Sequence, residues 1–217
     1  MKNTKIIDEV TKHCNDTRKK LLLDLLNSEI GRRIEEAPAS TAVRYHHAYE
    51  GGLYDHICEI IDTGIDFAKA VGNVSPQAII TVAILHDLNK VGDSKGDAYY
   101  IPNHSEKTGK RSEAEPYKRD KEKCRRWDTG NTEIDAVLKF AELSDGEASL
   151  ALLMKIAPDL FMDLTESETN AIRFHDGGYG KAKYAAGYCG REDNLAIIIH
   201  AADMLSSRAR NNPTTTP

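Results

Sequence analysis

Hydrophobic residues recur every three or four positions through most of this chain, and that spacing predicts helices before anything else. Residues 4–35 place Ile6, Ile7, Val10, Leu21, Leu22, Leu25, Leu26, Ile30 and Ile34 in this rhythm, with charges between them. They predict helix with a bend or break at Gly31, ended by EAPAS and its Pro38. A turn or short helix over 44–52 leads into a helix from Leu53 to about Val71. Its apolar positions 53, 57, 60, 61, 65 and 68 share one face, and Gly72 suits its C-terminal end. His56 borders that stripe. Ser75-Pro76 supplies a capping side chain and a first-turn proline for the next helix, Gln77 to Asn89. That segment is apolar nearly all round, so it is predicted to be the central, buried helix.

From Asp93 to Thr132 the period disappears. Mixed charges with scattered Gly, Pro and Ser predict a long loop or surface excursion, of the kind that forms a lid or binding edge. Within it, 107–126 reads as a solvated face, with gripping a polyanion as the alternative. Helical spacing returns over 133–143, breaks at Ser144-Asp145-Gly146 and resumes over 147–156. Thr165 and Glu168 make a capping-box pattern for a helix running to His175. A loop rich in Gly and Tyr (176–190) follows, whose Tyr179, Tyr184 and Tyr188 read as loop packing or as platforms for a base. A last helix covers Asp193 to about Arg210, and 211–217 is a flexible tail. With no strand pattern evident, the fold class is all-α: one helical domain over 1–210 with 93–132 as its excursion.

Composition narrows the function classes. A net charge of −5 argues against a general nucleic-acid surface, and no run approaches the ~20 apolar residues of a membrane span. The N-terminal residues lack the apolar core of a secretory signal, and the four cysteines form no C-x-x-C pair. The expectation is a cytoplasmic protein with reduced thiols.

Candidate chemistry lies where polar residues interrupt apolar helices. His56, the adjacent His86-Asp87 pair and Asp203 each sit in segments dense with Ile, Leu, Val and Ala. Polar groups there are costly unless paired or bound to a metal. Imidazole and carboxylate together suit Mn, Fe, Co, Ni or Zn, and Mg less well. A divalent ion so held acidifies a bound water and polarises a phosphoryl oxygen. For each histidine taken alone, a hydrogen-bonded core residue is the commoner explanation. The four together favour a metal site.

The segments HHAYEGGLYDH, LHDLNKVGD and HAADMLS make a pattern that resembles the HD-domain superfamily of metal-dependent phosphohydrolases. The resemblance covers roughly residues 44–92 and 165–208. It implies His56, His86, Asp87 and Asp203 as ligands of one ion, with Asp87 and Lys90 in the catalytic machinery and Lys90 near the substrate phosphate. It also implies one or two ions per chain, with His175 as candidate ligand of a second. Asp145 stands where relatives carry a histidine in a His-Gly-Glu turn, and His104 is a weaker rival. Arg44, His46 and His47 are candidate substrate contacts, against solvated charge or helix capping as alternatives, and His200 is read as a brace for Asp203. The expected activity is hydrolysis of nucleotide phosphomonoesters or triphosphates by a metal-activated water. The alternatives are a phosphodiesterase or 3'-5' exonuclease on single-stranded nucleic acid or cyclic nucleotides, and a non-catalytic nucleotide-binding module. The expected partner is a small nucleotide or short nucleic acid, with no membrane; homo-oligomerisation stays open.

Overall fold

The computed structural model describes residues 4–94, 96, 98–106, 108–119, 143–177 and 192–209. Outside the described residues lie residues 133–142 of the helix predicted over 133–143, most of the 176–190 loop with its three tyrosines, residues 120–132 of the excursion, and the tail.

The N-terminal stretch folds as three helices: α1 (Thr4–His13), α2 (Asp16–Leu26) and α3 (Glu29–Glu36). The breaks fall at Asn15 and Ser28, not at Gly31, which lies inside α3. Both side chains accept a hydrogen bond from a backbone N–H of the following turn, Asn15 from Arg18 and Ser28 from Ile30. Each therefore ends one helix by capping the next.

The long helix is α4 (Gly52–Val71), left through Gly72 at φ 75°. The next is α5 (Pro76–Leu85), capped by Ser75 as the Ser-Pro pair predicts. Every residue from Ile79 to Leu85 is buried, so α5 is the interior helix. It stops at Leu85, four residues short of the predicted end. Beyond it, His86 and Asp87 turn the chain into a single 3₁₀ turn, Leu88–Val91. A serine from elsewhere holds that turn: Ser149 Oγ donates to the His86 carbonyl at 2.9 Å and accepts from the Asn89 N–H at 3.1 Å. A tertiary clasp thus replaces the next two helical hydrogen bonds, which no local pattern could announce.

The excursion contains two short strands, β1 (Tyr100–Pro102) and β2 (Tyr117–Arg119), paired antiparallel with Tyr100 opposite Arg119. This corrects the expectation of a strandless excursion. Three-residue strands carry too little alternation to read, and they take their place through cross-strand hydrogen bonds. Helices α6 (Asp145–Ile156), α7 (Pro158–Asp163), α8 (Glu166–Arg173) and α9 (Asn194–Met204) complete the bundle. α9 runs into a π-helical turn, Leu205–Ala209.

Among the described residues the fold is thus essentially all helical. α4 packs on α3, α5 and α9; α8 packs on α5 and α9; α6 packs on the 3₁₀ turn and α8. Burying an Ile or Leu is worth roughly 1.5–3 kcal/mol, and the α4–α5–α9 layer buries many: Leu53, Ile57, Ile60, Ile79, Ile80, Ile84 and Ile199 are all at 1% exposure or less. No described helix is long and apolar enough to cross a membrane.

Candidate metal centre

Three buried elements converge at one end of this layer. α4 contributes His56, the turn after α5 contributes His86 and Asp87, and α9 contributes Asp203. His56 and His86 are fully buried and Asp87 nearly so. His56 Nε2 lies 3.2 Å from Asp203 Oδ1, 3.3 Å from His86 Nε2 and 3.6 Å from Asp87 Oδ2. His86 Nε2 is 3.2 Å from the same Asp87 oxygen. From the end of α8, His175 approaches the other oxygen of Asp87, Nε2 to Oδ1 at 3.7 Å.

Glycines permit this convergence. A Cβ on Gly52 would come within 2.0 Å of the His47 carbonyl, so only glycine lets the 44–50 segment lie across the start of α4. His46 is thereby brought against the His56 ring, with ring centroids 4.7 Å apart and planes tilted by 45°. A Cβ on Gly146 would meet the Ile172 carbonyl at 2.1 Å. The first turn of α6, carrying Asp145, can therefore close on the end of α8 beside His175.

The protonation pattern tests whether these residues fit a cation. His86 Nδ1 donates to the Ala83 carbonyl at 2.9 Å, and His175 Nδ1 to the Ile172 carbonyl at 2.8 Å. A carbonyl only accepts, so each ring in its neutral form carries its proton on Nδ1 and turns a bare Nε2 inward. Two imidazole nitrogens 3.3 Å apart, His56 and His86, then face one another with carboxylate oxygens around them. Two metal–nitrogen bonds of roughly 2.0–2.1 Å opened to a tetrahedral angle span about 3.3–3.4 Å between nitrogens. The donor set and its spacing fit a divalent ion of the His/Asp-binding kind. Potential ligand atoms of His56, His86 and Asp203 lie within 4.8 Å of one another, as do those of His86, Asp87 and His175.

Electrostatics agree. Burial alone would raise the Asp87 pKa, but Lys90 and His86 hold it well below the usual carboxylate range. Asp203 behaves likewise: burial is overcome by His56, which depresses it. Both stay ionised at neutral pH and able to ligate. Burial lowers His56, while for His175 the nearby Asp176 and Asp87 outweigh burial and raise it. His46 is pushed down to about 2 by burial and by Lys90, so it is neutral.

A third group, His175, Asp176 and Asp203, also lies within 4.8 Å, and Asp176 went unnoticed in the sequence. Burial raises its carboxyl, which sits near Asp87, Asp145 and Asp203. The His-Asp step at 175–176 repeats the step at 86–87 and is the signal that could have revealed it. Asp145 is otherwise engaged. Its Oδ1 accepts from Asn89 Nδ2 at 3.2 Å and from the Tyr99 hydroxyl at 3.4 Å, and its Oδ2 pairs with Arg119 at 3.7 Å.

A cavity of about 460 Å³ opens over the centre, lined on its acidic side by Asp87, Asp145, Asp176 and Asp203, with His175 among them. Lys90, Arg119 and Arg208 line it as cations, with His46, Tyr45 and Tyr100. Lys90 is buried and ion-paired to Asp87. Arg44 does not line the cavity; it is exposed, pairs with Glu115 at 2.9 Å and lies over the Tyr45 ring. His47 faces Glu59 Oε1 at 3.3 Å instead. His104 pairs with Arg111 in the excursion, in none of the metal-binding groups. His200 touches the cavity, but its Nδ1 donates to the His175 carbonyl at 2.6 Å and so braces His175, where the sequence suggested Asp203.

Comparison with known proteins adds a short match. An alignment 67 positions long, covering 29% of this chain, is 36% identical to the dihydroneopterin 2',3'-cyclic phosphate phosphodiesterase of Methanocaldococcus jannaschii. The matched stretch spans about a quarter of that protein's length (26%). No family model matches the chain, and no solved structure matches it significantly.

Proposed function

We propose that this protein is a metal-dependent phosphohydrolase of the HD type acting on small nucleotide-like phosphoesters. The observation that carries the reading is the convergence of bare imidazole nitrogens and two ionised carboxylates on the floor of a cation-rimmed cavity. A divalent ion, when bound, would be held by His56, His86, Asp87 and Asp203 and would supply an acidified water and a Lewis acid for the phosphoryl group. His175, Asp87 Oδ1 and Asp176 offer room for a second.

The chain's own groups account for the rest. Lys90 and Arg119 line the cavity as cations and would take the phosphoryl oxygens, whose growing negative charge in the transition state they neutralise. Lys90 stays protonated: burial opposes its charge, but Asp87 overcomes this and raises its pKa. His46, being neutral, would offer a hydrogen bond without charge. Asp87 is held ionised, which suits a ligand and not a proton donor.

A cyclic phosphodiester is the second substrate reading, favoured by the activity in the relative's name. The deciding experiment is metal analysis of the purified protein, followed by a panel assayed with Mn, Co, Ni, Zn and Mg. The panel holds nucleoside monophosphates, triphosphates, 2',3'-cyclic phosphates and a single-stranded oligonucleotide. Release of inorganic phosphate, ring opening to a monophosphate and strand shortening separate the activities. In the His86→Ala/Asp87→Ala double variant, metal content and turnover should fall together to background. Turnover surviving that change would end the proposal, and nucleotide binding without turnover of any panel member would favour a silent binding module.

A further inference from the structure

Beneath the metal-binding groups lie two polar residues that the chemistry above does not use. We infer that Glu59 and Ser206 form a positioning relay that fixes the proton of His56 on Nδ1 and so presents Nε2 to a metal ion. The inference rests on the metal reading above and goes beyond it to residues that touch neither ion nor substrate.

The geometry is closed and directional. Glu59 lies one turn after His56 on α4, and Ser206 one turn after Asp203 in the π-helical turn. Ser206 is 2% exposed. Its Oγ is 2.6 Å from Glu59 Oε2 and 2.8 Å from His56 Nδ1. A serine hydroxyl has one hydrogen, and a carboxylate only accepts. The hydroxyl hydrogen therefore points to Glu59, and the oxygen's free lone pair accepts the His56 Nδ1–H. Nε2 is left bare, facing Asp203 and His86.

His47 extends the chain. Its Nδ1 is buried without a partner, so its proton belongs on Nε2, which faces the other Glu59 oxygen at 3.3 Å. His47 adopts φ 45°, a left-handed conformation uncommon outside glycine. The neighbouring π turn is a distortion often found at functional sites, and here it carries Ser206.

His56 differs from the other two rings in one decisive respect. His86 and His175 are oriented by backbone carbonyls, which no substitution removes. His56 alone of the three depends on side chains, so its tautomer can be released by mutation. Partners of this kind typically govern metal affinity by 10–100-fold.

The test uses the full chain, zinc and a competing chromophoric chelator. Ser206→Ala and Glu59→Ala should each weaken zinc binding roughly 10–100-fold, and Ser206→Thr, which keeps the hydroxyl, should restore most of it. Long-range ¹H–¹⁵N spectra should show His56 protonated on Nδ1 in wild type and exchanging between tautomers in Ser206→Ala, with His86 and His175 unmoved. Zinc binding by Ser206→Ala within twofold of wild type would overturn the relay alone. So would a loss shared equally by Ser206→Thr, since packing and not the hydroxyl would then be responsible. A wild type that takes up no zinc would instead overturn the metal reading on which the relay rests.

Discussion

Among the described residues, two buried clusters of charge are built on opposite terms. Around Arg18, every donor finds an acceptor. Nε meets Asp163 Oδ2 at 2.7 Å, Nη1 meets Thr81 Oγ1 and Glu168 Oε1, and Nη2 meets the Asp163 carbonyl and Glu168 Oε2. All five guanidinium hydrogens are spent, and the cluster is complete as it stands. Around His56, acceptors face acceptors: bare imidazole nitrogens meet carboxylates, with Lys90 as the one buried cation among the described residues that touches them. A protein interior tolerates the first arrangement for its own sake. The second would be completed by a positive charge held between its nitrogens and carboxylates, and that asymmetry separates a structural cluster from a candidate site more sharply than burial does.

The comparison can be broken from either side. Arg18→Met leaves two carboxylates without their partner and should cost about 3–5 kcal/mol of stability, with metal content unchanged. Thermal melting of Arg18→Met/Glu168→Leu should recover most of this, short of the about 1 kcal/mol lost with the Thr165–Glu168 capping box. A double variant as unstable as the single would mean that packing, not unpaired charge, sets the cost.

Metal should act on the other cluster alone. At a hundredfold excess over its Kd, zinc or manganese should stabilise the wild type by about 2.7 kcal/mol, a Tm rise of roughly 5–11 °C. Arg18→Met should keep that increment, whereas His86→Ala/Asp87→Ala should lose it. Smaller still is the contrast between two carboxylates at the rim. If a second ion binds, Asp176→Asn should remove it from the metal count and Asp145→Asn should not, because Asp145 is already occupied by Asn89, Tyr99 and Arg119. The smallest effect belongs to Arg44→Ala, which should leave KM within about twofold, given how little exposed ion pairs contribute.

What could be read in advance follows from the range of the interaction. The apolar period of α4 and α5, the Ser75-Pro76 start and the Thr165–Glu168 box are local, and the chain displays them. His56, His86, Asp87 and Asp203 stood out because they interrupt apolar segments. Arg18 did not, because its partner Glu168 is 150 residues away and both look like surface charge in sequence. Ser149 and Ser206 are small, common residues whose importance comes entirely from what tertiary packing brings against them. Asn15 and Ser28 were legible as caps in principle, yet continuous apolar spacing across them masked the breaks.

One carboxylate has a consequence for how such a centre can change. Asp87 turns Oδ2 toward His56 and His86 and Oδ1 toward His175. Neither half can be retuned through this residue without disturbing the other. Lengthening it to glutamate would displace both together, so ions held on its two sides could be retuned separately only through the flanking groups. The pivot itself is the position with the least freedom to vary.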